Sequence, residues 1–557
     1  MKKYIHNKPI EPDEIFIDSQ NLPEFNTHQF EGRLEKSISI KSIVFLGVFF
    51  LLIGVIYVSK IWVLQVNKGD IYAQQGENNR LRNTVVFSER GIIYDRNKVE
   101  LAWNERGEDD SFSSRRYIQT LGVAHLIGYA KYPSKDNYGF YYREDFEGIE
   151  GTEKAYNEKL KGKNGVKILE INALGKIQSQ NILTPPKDGE NILLSIDSNL
   201  NNKLYGTIEN FSKIYGFIGG AAVIMDVNSG ELLAMTSYPE YNSQILAEGD
   251  DSEKINNYIN GKSKPFLNRI IQGAYTPGSI IKPVMAIGVL NEKIIDPNKK
   301  ILSTGSISLP NPYDSTKFSI FKDWKALGWV DLREAIAFSS DVYFYTVGGG
   351  FGDQKGIGIS NIEKYSKLFG FGEKTNINLQ GEINRSIPTP EWKVINFSGD
   401  PWRIGDTYNT VIGQYGYQLT PIQVVRAISA IANYGTLLTP KLLLGEKQLF
   451  GDTRDVKISK EYFDIVREGM RMAVTEGTGQ SLNMKDIHIA VKTGTAQVGI
   501  SNAYVNSWSV GFFPYENPRY AFVVMMERGP ANNDVGATSV TRQMFDWMVQ
   551  NTPEYLK

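Results

Sequence analysis

Three short groups of residues carry side chains that could do chemistry together. The first is Ser279-Ile280-Ile281-Lys282, which follows the turn residues Pro277-Gly278 and opens an apolar, helix-like run from Val284 to Leu290. At this spacing serine and lysine stand one turn apart on a single helical face, so the amine can reach the hydroxyl. A serine hydroxyl becomes a useful nucleophile only when a base takes its proton. Lysine does so where burial or neighbouring cations keep it neutral. A helix start also aims backbone N–H groups at a reacting carbonyl. Taken alone the pair says little, because a capping serine and a surface lysine share the spacing.

The second group is Ser339-Ser340-Asp341, placed after a helix-like run from Leu332 to Phe338 and before Val342-Tyr343-Phe344-Tyr345. The third is Lys492-Thr493-Gly494-Thr495, continuing an apolar strand that begins at Ile487. Thr493 and Thr495 can hydrogen-bond a carboxylate, with the Lys492 charge beside it. Gly494 permits close approach of a substrate backbone.

The elements that must position these groups change character along the chain. Residues 1–41 are polar, contain proline and lack helical periodicity, which predicts a disordered cytoplasmic tail. Residues 42–64 predict a single transmembrane anchor: Ser42–Ser59 is free of charge, Ile61–Leu64 extend it past Lys60, and the stretch can cross a core about 30 Å thick. Arg33, Lys36 and Lys41 before the span set a modest basic bias, which favours a cytoplasmic N-terminus and an extracytoplasmic remainder. A mixed segment, 65–190, ends in the breaker cluster Thr184-Pro185-Pro186-Lys187-Asp188-Gly189.

From residue 191 to 557 a catalytic domain is expected. Ala221–Met225 and Glu231–Met235 read as strands joined by the turn Asp226–Gly230. Ile487–Val491, Trp508–Phe512 and Tyr520–Met526 read as three more, and Val540, Met544, Trp547 and Met548 mark an amphipathic helix. Strands at both ends around a helical middle predict an α+β fold, with a central antiparallel sheet flanked by helices.

Composition excludes several classes. Lysine and arginine number 61 against 62 acidic residues, so no charge surplus draws the chain to nucleic acid. Cysteine is absent, which removes disulfides, a cysteine nucleophile and thiolate metal sites. The four histidines lack zinc-ligand spacing, and only His125 and His488 could enter a Ser-His-Asp triad.

The ordered set S-x-x-K, S-x-D and K-T-G is shared by penicillin-binding proteins and β-lactam hydrolases. The chain resembles a class B penicillin-binding protein, a peptidoglycan DD-transpeptidase, over everything after about residue 40. Further matching groups are Arg90–Asn97, Gly148–Glu153, Ile412-Gly413-Gln414 and Leu419–Gln423. Ser-x-Asp itself, Tyr343–Tyr345, Thr346–Gly350 and Pro390-Glu391-Trp392-Lys393 resemble the elongation-type branch, penicillin-binding protein 2.

The resemblance implies that Ser279 is acylated by a D-Ala-D-Ala stem peptide, with Lys282 as its general base. Ser339 would relay a proton to the leaving D-alanine, and Asp341 would position Ser339 and the lysines. Lys492, Thr493 and Thr495 would hold the donor carboxylate, with the N–H groups of Ser279 and Thr495 as oxyanion hole. It implies β-lactams as inhibitors, a RodA-like membrane glycosyltransferase and elongation-complex proteins as partners, and no metal or organic cofactor. Residues 65–190 would be a non-catalytic pedestal, whose head, between Arg96 and Gly148, is shorter than in most relatives. A β-lactam hydrolase and a β-lactam sensor share the three groups. The single anchor and the pedestal groups favour the transpeptidase, and no glutamate in E-x-x-x-N spacing lies between Lys282 and Lys492.

Overall fold

The computed structural model describes residues 39–72, 81–107, 112–137, 141–171, 177–311, 314–447 and 453–557. The expected N-terminal tail therefore lies, but for its last residues, outside the described part. Helix α1 (Ile40–Trp62) starts at Ser39, whose side chain caps the Ser42 N–H, and continues as one wider turn through Asn67. None of α1 is buried by protein, and its apolar side chains point outward on every face. An all-round apolar helix of this length suits lipid.

Residues 84–167 and 181–557 form one compact unit, and the anchor-side residues to 83 with 168–180 form another. Within the larger unit the pedestal is organised by a buried charge cluster. Glu153 bridges Arg90 Nε at 2.6 Å and Arg115 Nε at 2.8 Å, and all three side chains are almost wholly buried. Burial alone would raise the Glu153 pKa, but the Arg115 and Arg90 guanidiniums outweigh it and hold the carboxyl below its ordinary value. The groups Arg90–Asn97 and Gly148–Glu153 thus meet as one structural unit. Asp95 continues it: one carboxylate oxygen closes its own turn through the Asn97 and Val99 N–H groups, and the other accepts from Ser198 Oγ at 2.7 Å. Ser198 opens α2 (Ser198–Tyr215), the first helix of the catalytic region.

The catalytic region is built on a five-stranded, fully antiparallel sheet. Its strands are β1 (Gly219–Asp226), β2 (Leu232–Tyr238), β3 (Ala490–Val498), β4 (Tyr504–Phe513) and β5 (Tyr520–Pro530), in the order β2-β1-β5-β4-β3. Both faces are buried, which explains strands that read as near-continuous apolar runs. Strand alternation sends Ala221, Val223, Met225, Val523 and Met525 to one core, and Ala222, Ile224, Phe522, Val524 and Met526 to the other. Each large aliphatic or aromatic side chain so buried contributes roughly 1.5–3 kcal/mol.

Over the second face lie α2 and α8 (Ala537–Asn551), with Val540, Met544 and Met548 fully buried and Trp547 at the margin. Against the first face pack α3 (Lys282–Asn291) and α6 (Pro421–Ala432). The Thr-Pro-x-Gln group is the start of α6: the Gln423 N–H donates to Thr420 Oγ1, and Gln423 Oε1 accepts from the Thr420 N–H. That reciprocal cap satisfies two N–H groups the helix cannot pair itself. The α+β fold with its central antiparallel sheet is as the sequence predicts, and the sheet edges, β2 and β3, come from distant parts of the chain.

Candidate active site

Ser279 stands in a single tight turn, Gly278–Ile281, that runs directly into α3. Its approach is fixed from two sides. The Trp508 indole N–H donates to Thr276 O at 3.0 Å, and the Gly278 N–H donates to Gly413 O at 3.0 Å. Gly278 has φ +58°, and a side-chain carbon at Gly413 would sit 2.2 Å from Gly278 O. Residue 413 is therefore glycine because the Ser279 turn packs on it.

Ser339 lies between α4 (Leu332–Ala337) and α5 (Asp341–Gly349). Its φ of 60° is in the left-handed region, which side chains beyond glycine seldom adopt. The turn is held by Ser340, whose Oγ caps α5 by accepting the Tyr343 N–H. Lys492 is the third residue of β3 and faces inward, fully buried like Lys282.

These three segments converge. Lys282 Nζ donates to Asp341 Oδ1 at 2.6 Å and to Ser339 O at 2.8 Å, with Ser339 Oγ at 3.4 Å. Lys492 Nζ donates to Ser339 Oγ and to Thr493 O, both at 2.8 Å. Ser339 Oγ is thus the link between two buried amines. Burial, then the nearby Lys282 charge, push the Lys492 amine well below an ordinary lysine, against a smaller opposing pull from Asp341.

Above the amines opens a cleft of about 560 Å³ lined by Ser279, Ser339, Asp341, Thr493 and Thr495. Thr493 Oγ1 shares a 2.7 Å hydrogen bond with Thr478. Gly494 is buried on the other side of β3, where a side-chain carbon would meet Ile280 at 2.8 Å and Pro277 O at 3.0 Å. The close approach it allows is that of the Ser279 turn, because alternation along the strand turns position 494 away from the cleft that Thr493 and Thr495 face.

The transpeptidase-domain model of penicillin-binding proteins matches residues 220–546, and the penicillin-binding protein dimerisation-domain model matches residues 110–194. The chain is a class B penicillin-binding protein. It is 30% identical over 483 residues to the peptidoglycan D,D-transpeptidase MrdA of Haemophilus influenzae, covering 80% of this chain and 71% of the relative. To MrdA of Escherichia coli K12 it is 26% identical over 613 residues, with 90% and 93% covered. The solved structure of Helicobacter pylori PBP2 in complex with MreC superposes with a TM-score of 0.71 at 27% identity, over 84% of this chain and 99% of that one. The chain is a serine transpeptidase of the elongation-type branch.

A family reading of the three groups misses one member of the machinery. Asp323 Oδ2 accepts from Ser340 Oγ at 2.8 Å and from the Val342 N–H at 3.0 Å, and the Ser303 hydroxyl adds a third bond at 3.2 Å. It caps α5 from outside and holds the strained Ser339 turn in place. Next to it, Trp324 lines the cleft and donates its indole N–H to Phe338 O. No local signal marks Asp323, since an acidic residue 17 positions before Ser340 becomes its partner only when the intervening chain folds back.

Proposed function

We propose that the protein crosslinks peptidoglycan stem peptides through an acyl-enzyme on Ser279, in wall synthesis during cell elongation. The observation that carries this reading is Ser339 Oγ standing between two buried lysine amines at the floor of the cleft that Ser279 lines. The Ser279 hydroxyl attacks the carbonyl of the penultimate D-alanine as its proton passes to Lys282. In the same step Lys282 hands a proton through Ser339 Oγ to Lys492, whose lowered pKa leaves its amine free to accept one. The backbone N–H groups of Ser279 and Thr495 stabilise the oxyanion. When the C–N bond breaks, Ser339 returns a proton to the leaving D-alanine amine, refilled from Lys492. Thr493 and Thr495 hold the leaving carboxylate, with the charge on Lys492 nearby while it carries the relayed proton. An amine of a neighbouring stem peptide then attacks the ester and restores Ser279.

Lys282 is the base nearest the nucleophile in sequence, and its pairing with Asp341 explains why a second amine completes the proton route. β-Lactams acylate the same serine. The helix α1 anchors the protein in the cytoplasmic membrane, with its N-terminus inside and the catalytic domain outside, in keeping with the basic residues before the span. A MreC-like scaffold, as in the H. pylori complex, and a RodA-like glycosyltransferase are the partners this reading calls for.

Intact-protein mass spectrometry after exposure to benzylpenicillin is the test. One adduct on the wild type, absent from Ser279→Ala, is expected, and an adduct that survives the substitution or maps elsewhere overturns the assignment. The adduct should persist for minutes to hours. Turnover of nitrocefin at many cycles per second would favour a hydrolase instead.

A further inference from the structure

One wall of the cleft is formed by the loop from β5 to α8, which contributes Asn533 to Gly536. Its placement is fixed on both sides. Asn533 Nδ2 donates to Tyr215 O at 2.7 Å, and the Ala537 N–H donates to Ser507 Oγ at 2.9 Å. Asp534, between these anchors, is exposed to solvent and faces the space Ser279 lines.

Among the described residues lining the cleft, only Asp341 and Asp534 bear charge. Asp341 is paired with Lys282 at 2.6 Å, whereas among the described residues the Asp534 side chain meets no cation and no hydrogen-bond donor. The remaining lining is hydroxyl, amide and apolar. An unpaired carboxylate is an unfavourable neighbour for a donor that ends in a carboxylate, unless the donor also brings a positive charge to it.

We propose that Asp534 is a specificity-determining residue that receives the side-chain ammonium of a diamino residue in the donor stem peptide. This rests on the reading of the protein as a peptide-acylated transpeptidase. The chemistry makes such a cation available: crosslinking needs stems with a side-chain amine as acceptors, and on the donor strand that amine stays unreacted and charged. Asp534 then rewards the amine-bearing donor over one whose amine is already blocked.

The experiment compares two peptides ending in D-Ala-D-Ala, one with a free side-chain amine and one with that amine acetylated. Release of D-alanine by the full-length protein is followed without added acceptor. The wild type should prefer the free amine. In Asp534→Asn the ratio of kcat/KM between the peptides should fall about fivefold, the upper end for a solvent-exposed ion pair. Asp534→Glu should restore the ratio, and raised salt should erode it in the wild type. A ratio unchanged in Asp534→Asn overturns the proposal, as does an equal loss for both peptides. An effect that appears only when an acceptor is added overturns it in favour of acceptor recognition. If the wild type is acylated by penicillin yet releases D-alanine from neither peptide, the peptide-transpeptidase reading itself fails, and the proposal with it.

Discussion

Two buried charge clusters in this protein are alike in burial and opposite in use. In the pedestal, one carboxylate, Glu153, is clamped by two guanidiniums. In the catalytic domain, one carboxylate, Asp341, pairs with Lys282, while Lys492 sits nearby and, among the described residues, donates only to hydroxyl and carbonyl oxygen. Arginine remains protonated in proteins and presents a rigid fork, so the pedestal cluster is locked in one ionisation state. Lysine gives up its proton when desolvated beside another cation, so the catalytic cluster has a proton place to fill. The same burial yields a fastening in one region and, on the proposed mechanism, a proton route in the other.

The strongest contrast should come from removing the amine nearest Ser279 on that route. Lys282→Ala is expected to slow penicillin acylation by about 10²- to 10⁴-fold, the usual contribution of a general base, while the protein still unfolds cooperatively. Stopped-flow acylation and circular dichroism on one sample check both halves. If acylation stays within a few-fold of wild type, Lys492 is the base and Lys282 is structural.

Breaking the pedestal cluster should do the reverse. Glu153→Gln leaves two buried guanidiniums without their counter-charge and should cost about 3–5 kcal/mol of stability. The loss should appear as a lowered denaturant midpoint. Asp341→Asn also leaves a buried cation, Lys282, without its carboxylate, but a buried lysine can shed its proton where arginine cannot, so it should lose activity with a much smaller shift. Equal destabilisation by the two substitutions would erase the distinction.

Asp323→Ala removes an external cap and should cost about 1–2 kcal/mol. It should also slow acylation about tenfold, equivalent to ~1.4 kcal/mol, because Ser339 loses its restraint. Asp323→Asn, which keeps one acceptor oxygen, should recover part of the rate. Recovery of stability without recovery of rate would leave Asp323 a structural cap only.

The pH profiles should differ in sign. Glu153 has a folded pKa below its unfolded value, so it adds stability above about pH 4.3, lost as pH falls through the lower folded value. Lys492 has a folded pKa well below its unfolded value near 10.4. Its burial therefore costs stability at lower pH, and the cost is relieved as pH rises through the window between the two values. Acylation should rise with pH through that same lowered pKa, and Lys492→Arg should abolish the rise because arginine has no neutral form. A profile unchanged in Lys492→Arg would place the titrating group elsewhere.

Much of this was legible in the chain. The apolar runs Ala221–Met225 and Tyr520–Met526 could be read as strands because both faces of the sheet are buried. The helix at 537–551 was legible because Val540, Met544 and Met548 recur at helical spacing. Strand β3 was harder at its ends. It runs from Ala490 to Val498 rather than starting at Ile487, and it holds the polar Lys492, Thr493 and Thr495 as expected. The anchor helix also begins earlier and ends later, Ile40 to Trp62 with a further turn to Asn67, than the uncharged stretch suggests. Lys41 and Lys60 fit near the ends of such a helix by extending toward the interface.

The sequence by itself determined what is local: the serine one helical turn before Lys282, the apolar strand runs, and the order of the three motif groups. Only the tertiary structure decided which lysine pairs with Asp341, that Ser339 Oγ joins two amines, that Asp323 holds the Ser339 turn, and that Arg115 completes the Glu153 cluster. The reason is physical. Backbone geometry fixes neighbours three or four residues apart, but the ionisation of a side chain depends on its burial and on charges brought from other segments. In the chain Lys282 and Lys492 are equally basic. In the fold one gains a carboxylate, and the other is left with oxygens and a neighbouring cation.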